Sequence, residues 1–132
     1  MVHEHTDRGF DADIDGMRGA VMTMGGLVER QVRRAAEALR LNDLRLVADV
    51  LADERVVNQL HMQVDLLCNQ LIARRQPIAV DLREVMAAIH AVNDLERIGD
   101  HAVNIAEKTI YLADKPPVKP LIDIPKMADK AI

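Results

Sequence analysis

The sequence predicts an all-α protein, an antiparallel three-helix bundle of long helices. Two observations carry this. Of 132 residues, 49% are hydrophobic but only 2% aromatic, with no Trp, one Tyr and one Phe. A core made from this chain must therefore use Leu, Val, Ile, Ala and Met, which are helix formers or tolerated in helices. Between Leu27 and Ile98 there is no glycine and a single proline, whereas a sheet protein needs turn residues roughly every 8 to 12 positions. The apolar share is also too high for a disordered tail.

The elements follow in order. Residues 1–11 carry His3, His5 and several charges without an apolar period, which predicts a flexible N-terminus. From Ala12 to Leu41 the apolar residues Met17, Val21, Met24, Val28, Val32, Ala35 and Leu39 recur every three or four positions, the stripe of a first helix. Arg30, Arg33, Arg34, Glu37 and Arg40 fall away from that stripe and read as its solvated face. Asn42 and Asp43 supply a turn and an N-cap. Leu46, Val50, Val57, Leu60, Val64, Leu67 and Leu71 then mark a second helix ending near Arg74 and Arg75, before Pro77 breaks the chain. Asp81 and Glu84 have the spacing of a capping box for a third helix running to about Ala113. These three helices form one domain over 12–114. Residues 115–132 hold a Pro-rich linker and the start of a further helix, beginning at Asp123. Helices of about 30 residues, on the order of 45 Å long and joined by short turns, must lie antiparallel.

A net charge of −4 gives no electrostatic reason to expect a nucleic-acid or anionic-membrane partner. The single cysteine, Cys68, has no partner for an internal disulfide and reads as a buried packing residue. No apolar run of about 18 residues and no leader sequence occurs, so no transmembrane segment is expected and the chain reads as cytoplasmic.

The informative positions are those where charge invades an apolar face. On helix 3, Glu96, Asp100, Asn104 and Glu107 fall in the sector of Leu82, Met86, Ile89, Val92 and Val103. Helix 2 does the same with Glu54, His61 and Asp65, and with Asn58 at the rim, whereas helix 1 shows no such intrusion. Glu96 and Asp100 stand four apart, where like charges repel by about 0.2 to 0.5 kcal/mol even when exposed. A basic neighbour such as Arg97 or Arg55, a raised carboxyl pKa or a bound hard cation would offset that repulsion. Spacing alone leaves the choice open, because such pairs usually mark a solvated face. His61 reads first as a hydrogen-bonded structural histidine. Gly25 and Gly26 suggest a close backbone approach or a slight kink, and Gly99 a close approach of a neighbouring helix. No Glu-x-x-His pair, phosphate-binding glycine loop or zinc-type Cys/His spacing is present, which leaves an enzyme reading without a nucleophile or base to name.

Three stretches carry a family resemblance: residues 21–26 (VMTMGG), residues 73–77 (ARRQP) leading to Asp81, Leu82 and Arg83, and above all residues 95–106 (LERIGDHAVNIA). In this order and at these distances they resemble the PhoU family of phosphate-signalling proteins, over roughly residues 14–113. The resemblance implies an all-helical, cytoplasmic, non-enzymatic negative regulator of the phosphate-starvation response and of phosphate uptake. It would act as an adaptor between the ATPase subunit of the phosphate ABC importer and a membrane-bound sensor histidine kinase. The resemblance also implies a divalent or trivalent metal ion, iron or zinc first, on a repeated Glu/Asp-x-x-x-Asp motif. Glu96 and Asp100 match that motif in full, whereas on helix 2 it reads Glu54 to Asn58, with Asn in place of the second acid.

The family is built of two three-helix repeats, and the Glu-Arg-Ile-Gly-Asp stretch occurs once here, so the chain resembles a first repeat. A homodimer is then expected, in which a second copy covers the apolar surface that a second repeat would cover. The rival reading is a metal-binding or metal-buffering helical protein without a signalling partner, and a third is an isolated structural bundle.

Overall fold

The structure, a computed structural model, describes residues 2–75, 79–113, 115 and 123–132, with side chains for 9–74, 79–113, 115 and 126–132. Helix α1 spans Val2–Leu41, α2 Leu44–Gln70, α3 Ala79–Leu112 and α4 Asp123–Ala131. A π-helical turn over Leu71–Arg75 continues α2. The sequence reading of Pro77 as a break, and most of the Pro-rich linker, lie outside the described residues.

Two helix starts differ from expectation. Helix α1 begins at Val2, well before Ala12, so residues 2–11 are helical where a flexible start was expected. The stripe itself extends upstream, since Ile14 is buried and Phe10 packs half-buried against it. Helix α3 begins at Ala79, which places Asp81 inside the first turn rather than at the cap. Glu84 accordingly does not reach back to a cap but pairs with Arg18 of α1. The turn between α1 and α2 forms as the sequence predicts. Asn42 takes a left-handed φ of 52°, a conformation asparagine tolerates at a helix C-terminus. Asp43 caps α2, its carboxylate accepting from the backbone N–H of Arg45 at 2.9 Å and of Leu46 at 3.4 Å.

The core comprises two aliphatic clusters. One gathers Met17 and Met24 of α1, Val57, Val64 and Cys68 of α2, and Val85 and Val92 of α3. The other gathers Ala35 and Ala38, Val47 and Val50, and Ala102 and Ala106. Ascending residue numbers on α1 and α3 meet descending numbers on α2, which is the signature of antiparallel packing. Cys68 is fully buried, its thiol directed at the Met17 sulfur at 3.6 Å. Helix α4 lies against α1, with Asp129 accepting from Arg33 at 3.3 Å. Among the described residues, no helix is long and apolar enough to cross a membrane.

Gly25 and Gly26 do not mark a close approach, because a Cβ added at either would meet nothing within 4 Å. Gly99 does. It is buried, and a Cβ there would stand 3.0 Å from Gln31 Oε1 and 3.3 Å from Glu54 Oε2.

Candidate functional site

The two apolar clusters are separated by a polar layer at mid-length of the bundle. On α1 the interruption is Gln31, between Val28 of one cluster and Ala35 of the other. On α2 it is Asp53 and Glu54, between Val50 and Val57, and on α3 it is Glu96, Gly99 and Asp100, between Val92 and Ala102. The helical period carries the core-facing sector through Gln31, Asp53 and Gly99, which are buried, whereas Glu54 and Glu96 are half-buried at its edge and Asp100 is exposed. Leu82 and Met86 are exposed too, so the α3 sector in which the sequence reading placed Glu96 and Asp100 is a rim beside the core and not the core stripe. That stripe runs through Val85, Ala88, Val92, Gly99 and Ala102.

Gln31 is 0% exposed. Its amide nitrogen donates to the Val50 carbonyl at 3.2 Å and to Glu54 Oε2 at 2.9 Å, while its Oε1 is buried without a hydrogen-bond partner. The sequence reading found no polar intrusion on helix 1. Gln31 corrects it: a lone neutral amide within an apolar stripe has no charge to draw notice, and its environment depends on how α1 and α2 are registered.

Glu54 is half-buried and faces α3. Burial pushes its carboxyl above the ordinary value, the Gln31 hydrogen bond opposes that, and the Asp100 and Glu96 carboxyls facing it push it further up. Three of the four expected site residues, Glu54, Glu96 and Asp100, are thus brought together across α2 and α3. Asn58 lies one turn beyond Glu54 and is exposed at the rim. His61, the next polar residue on that side of α2, turns Nδ1 toward Glu96 Oε2 at 3.2 Å and Nε2 toward Asn93 Oδ1 at 3.0 Å, with Asp65 at 3.7 Å. It is a hydrogen-bonded histidine, as expected, and its partner is a site residue. Among the described residues, no three His, Cys, Asp or Glu side chains converge closely enough to hold a metal ion by themselves.

On the opposite flank, Asp53 is 5% exposed and held by two arginines. Arg30 donates to it through Nε at 3.1 Å and Nη2 at 2.6 Å, and Arg34 through Nη1 at 3.1 Å. The helix wheel assigns these arginines to solvent, and they are only partly so.

Together these features define a class, a helical-bundle domain whose polar chemistry is concentrated in one mid-length layer opening on the α2–α3 face. A family model described as the PhoU domain matches residues 21–109, and the chain belongs to the PhoU family. It is 40% identical over 111 residues to the phosphate-specific transport system accessory protein PhoU homolog of Pseudomonas putida, covering 84% of this chain and 43% of that one. To the homolog of Aquifex aeolicus it is 36% identical over 117 residues, covering 89% and 53%. To the accessory protein PhoU of Escherichia coli it is 38% identical over 109 residues, covering 83% and 45%. The crystal structure of PhoU from Pseudomonas aeruginosa superposes with a TM-score of 0.87 at 34% identity, covering 92% of this chain and 58% of that one. The chain spans about half the length of the curated relatives it matches.

Proposed function

We propose that this chain is the regulatory module of a PhoU-type negative regulator of the phosphate-starvation response and of phosphate uptake. It works by binding rather than catalysis, as a cytoplasmic adaptor between the importer's ATPase subunit and the phosphate sensor histidine kinase. The names of its relatives support a place beside the phosphate transport system. The observation that carries the reading is the acidic pair Glu96 and Asp100, the family's signature stretch, standing against Glu54 within the polar layer.

The reading includes a metal ion of the divalent or trivalent kind, supported by the type of donor on this face, although no three of the His, Cys, Asp and Glu side chains described stand close enough together to hold one without rearranging. Glu96, Asp100 and Glu54 offer carboxylate oxygens and Asn58 an amide oxygen at the rim. Such oxygen donors suit hard cations, and between iron and zinc they favour iron. A cation there would offset the repulsion among three carboxylates and tie α2 to α3.

The exposed apolar residues Met127 of α4 and Ile132 just after it support association of two copies as part of this reading. A homodimer held by aliphatic contact keeps its dimer mass by light scattering in low and high salt; a monomer mass in both would overturn it. The regulatory claim is tested by deleting the gene and following a phosphate-starvation reporter in phosphate-rich medium. The expected result is a reporter that stays on, and unchanged expression would favour metal buffering without a signalling partner.

A further inference from the structure

The geometry points to the α2–α3 groove as a docking site for a partner helix that carries aliphatic side chains at one end and Lys or Arg at the other. This rests on the adaptor reading above and names the face it uses.

Two stripes border the groove. On α3, Leu82, Met86, Ile89, Asn93, Glu96 and Asp100 recur at alternating spacings of four and three, and on α2, Glu54, Asn58, Met62, Asp65 and Ile72 keep to one face in the same way. The contact of His61 Nε2 with Asn93 Oδ1 at 3.0 Å fixes their register. About three turns from it in one direction Ile72 comes level with Leu82, and about two turns in the other Glu54 comes level with Asp100. The groove is therefore apolar at one end and acidic at the other, over a length of roughly 25 Å.

The apolar end is uncovered. Ile72, Leu82 and Met86 are 37%, 39% and 42% exposed, and Met62, on the way to the acidic end, is 70% exposed. Helix α4 packs on the outer side of α1, where Asp129 meets Arg33, and does not lie in this groove. Two antiparallel helices backed by a third present a furrow that a fourth helix fills in a four-helix bundle.

The acidic end defines what that helix carries. Among the described residues, no Arg or Lys pairs with Glu54, Asp65, Glu96 or Asp100, because the paired arginines, Arg18, Arg30, Arg33, Arg34 and Arg40, stand on α1 and hold acids on other faces. His61 lies between Glu96 and Asp65. Negative charge is crowded enough that Asp100 and Glu96 add to the effect of burial in pushing the Glu54 carboxyl up. Exposed aliphatic residues running into unmatched carboxylates are complementary to an amphipathic helix whose aliphatic residues are followed, about three to five turns further along the same face, by Lys or Arg.

The test uses the full chain, stripped of metal by chelator so that no cation competes for the acids. The probe is a fluorescein-labelled synthetic helix of about 24 residues, with Leu in its first turns and Arg in its last turns on one face, read by fluorescence anisotropy. A second peptide has the same residues redistributed around the helix. The wild type is expected to bind the first peptide at least roughly tenfold more tightly than the second. Leu82→Ser/Met86→Ser and Glu96→Gln/Asp100→Asn should each weaken that binding roughly tenfold or more, and only the second variant should flatten its salt dependence. Met22→Ser, on the outer side of α1, should leave it unchanged. If Leu82→Ser/Met86→Ser fails to fold, Met62→Ser takes its place, with a smaller loss expected. Unchanged binding in either folded groove variant, equal affinity for the two peptides, or an equal loss in Met22→Ser would overturn the inference. So would a change from dimer to monomer mass in Leu82→Ser/Met86→Ser without peptide, which would give the groove to a second copy. A wild type that binds neither peptide, alongside a starvation reporter that stays on in the deletion strain, would overturn the face assigned here and leave the regulatory reading standing.

Discussion

The Asp53 cluster allows a prediction whose sign depends on which partner is removed. Asp53 is nearly buried, whereas the side chains of Arg30 and Arg34 are 48% and 32% exposed. In Asp53→Ala, three charge-assisted hydrogen bonds are lost, each worth about 1.5 to 3 kcal/mol where water cannot replace them. Here water can reach both guanidinium groups, and the cost of burying a carboxylate disappears with it. The net loss should be about 1.5 to 3 kcal/mol in total. In the double variant Arg30→Ala/Arg34→Ala the carboxylate stays buried with no counter-charge, a situation that costs about 3 to 5 kcal/mol. Loss of the arginine stems that cover apolar surface adds to this. Urea unfolding of metal-stripped protein, followed by circular dichroism, reads both values from midpoints at constant slope. The reasoning is refuted if Asp53→Ala is destabilised as much as the arginine pair, or if both lie within about 0.5 kcal/mol of the wild type, as expected of ordinary surface pairs.

Three further predictions follow from single positions. Since the Glu54 carboxyl is raised in the folded state, ionising it opposes folding, and that penalty is present above its folded pKa and lost as pH falls below it. Metal-free Glu54→Gln should therefore melt higher than the wild type at neutral pH, with the difference shrinking on acidification toward the ordinary carboxylate range; a lower melting temperature at neutral pH would contradict this. Gly25→Ala and Gly26→Ala, with open space where a Cβ would sit, should each stabilise the protein by about 0.5 to 1 kcal/mol, and destabilisation by either would reveal a contact the structure does not show. The Cys68 thiol, pushed up first by burial and then by Asp65, should resist a disulfide reagent at pH 8 until denaturant is added, so rapid labelling of native protein would count against the packing described.

Much of the fold was legible because it rests on period and punctuation. The stripes from Met17 to Leu39 and from Leu46 to Leu71 needed only 3.6-residue spacing, and Asn42 and Asp43 needed only local turn chemistry. The helix starts were less legible. Phe10 and Ile14 are apolar islands among charges, and only contact with the rest of the bundle shows that they continue α1. Asp81 has the spacing of a cap, but Glu84 is drawn away by Arg18, a partner 66 positions distant. At the site, Glu54, Glu96 and Asp100 stood out as charges beside apolar residues. The α3 sector read as core proves to be its rim, however, because Leu82, Met86 and Asp100 are exposed and a wheel cannot tell a half-covered apolar face from a buried one. Gln31, which touches Glu54, did not, because that contact depends on the register of α1 against α2. Arg30 and Arg34 belonged to the polar side of a wheel, yet guanidinium groups reach far enough to clasp Asp53 from its rim.

The measurement that bears most directly on the account is the metal content of the protein purified without chelator, compared with that of Glu96→Gln/Asp100→Asn. These substitutions keep size and hydrogen-bonding capacity while removing two charges from the polar layer. The account predicts iron or zinc bound to the wild type and little or none in the variant, with both folded to the same helical content. Equal metal in the two proteins, or none in either, would contradict it.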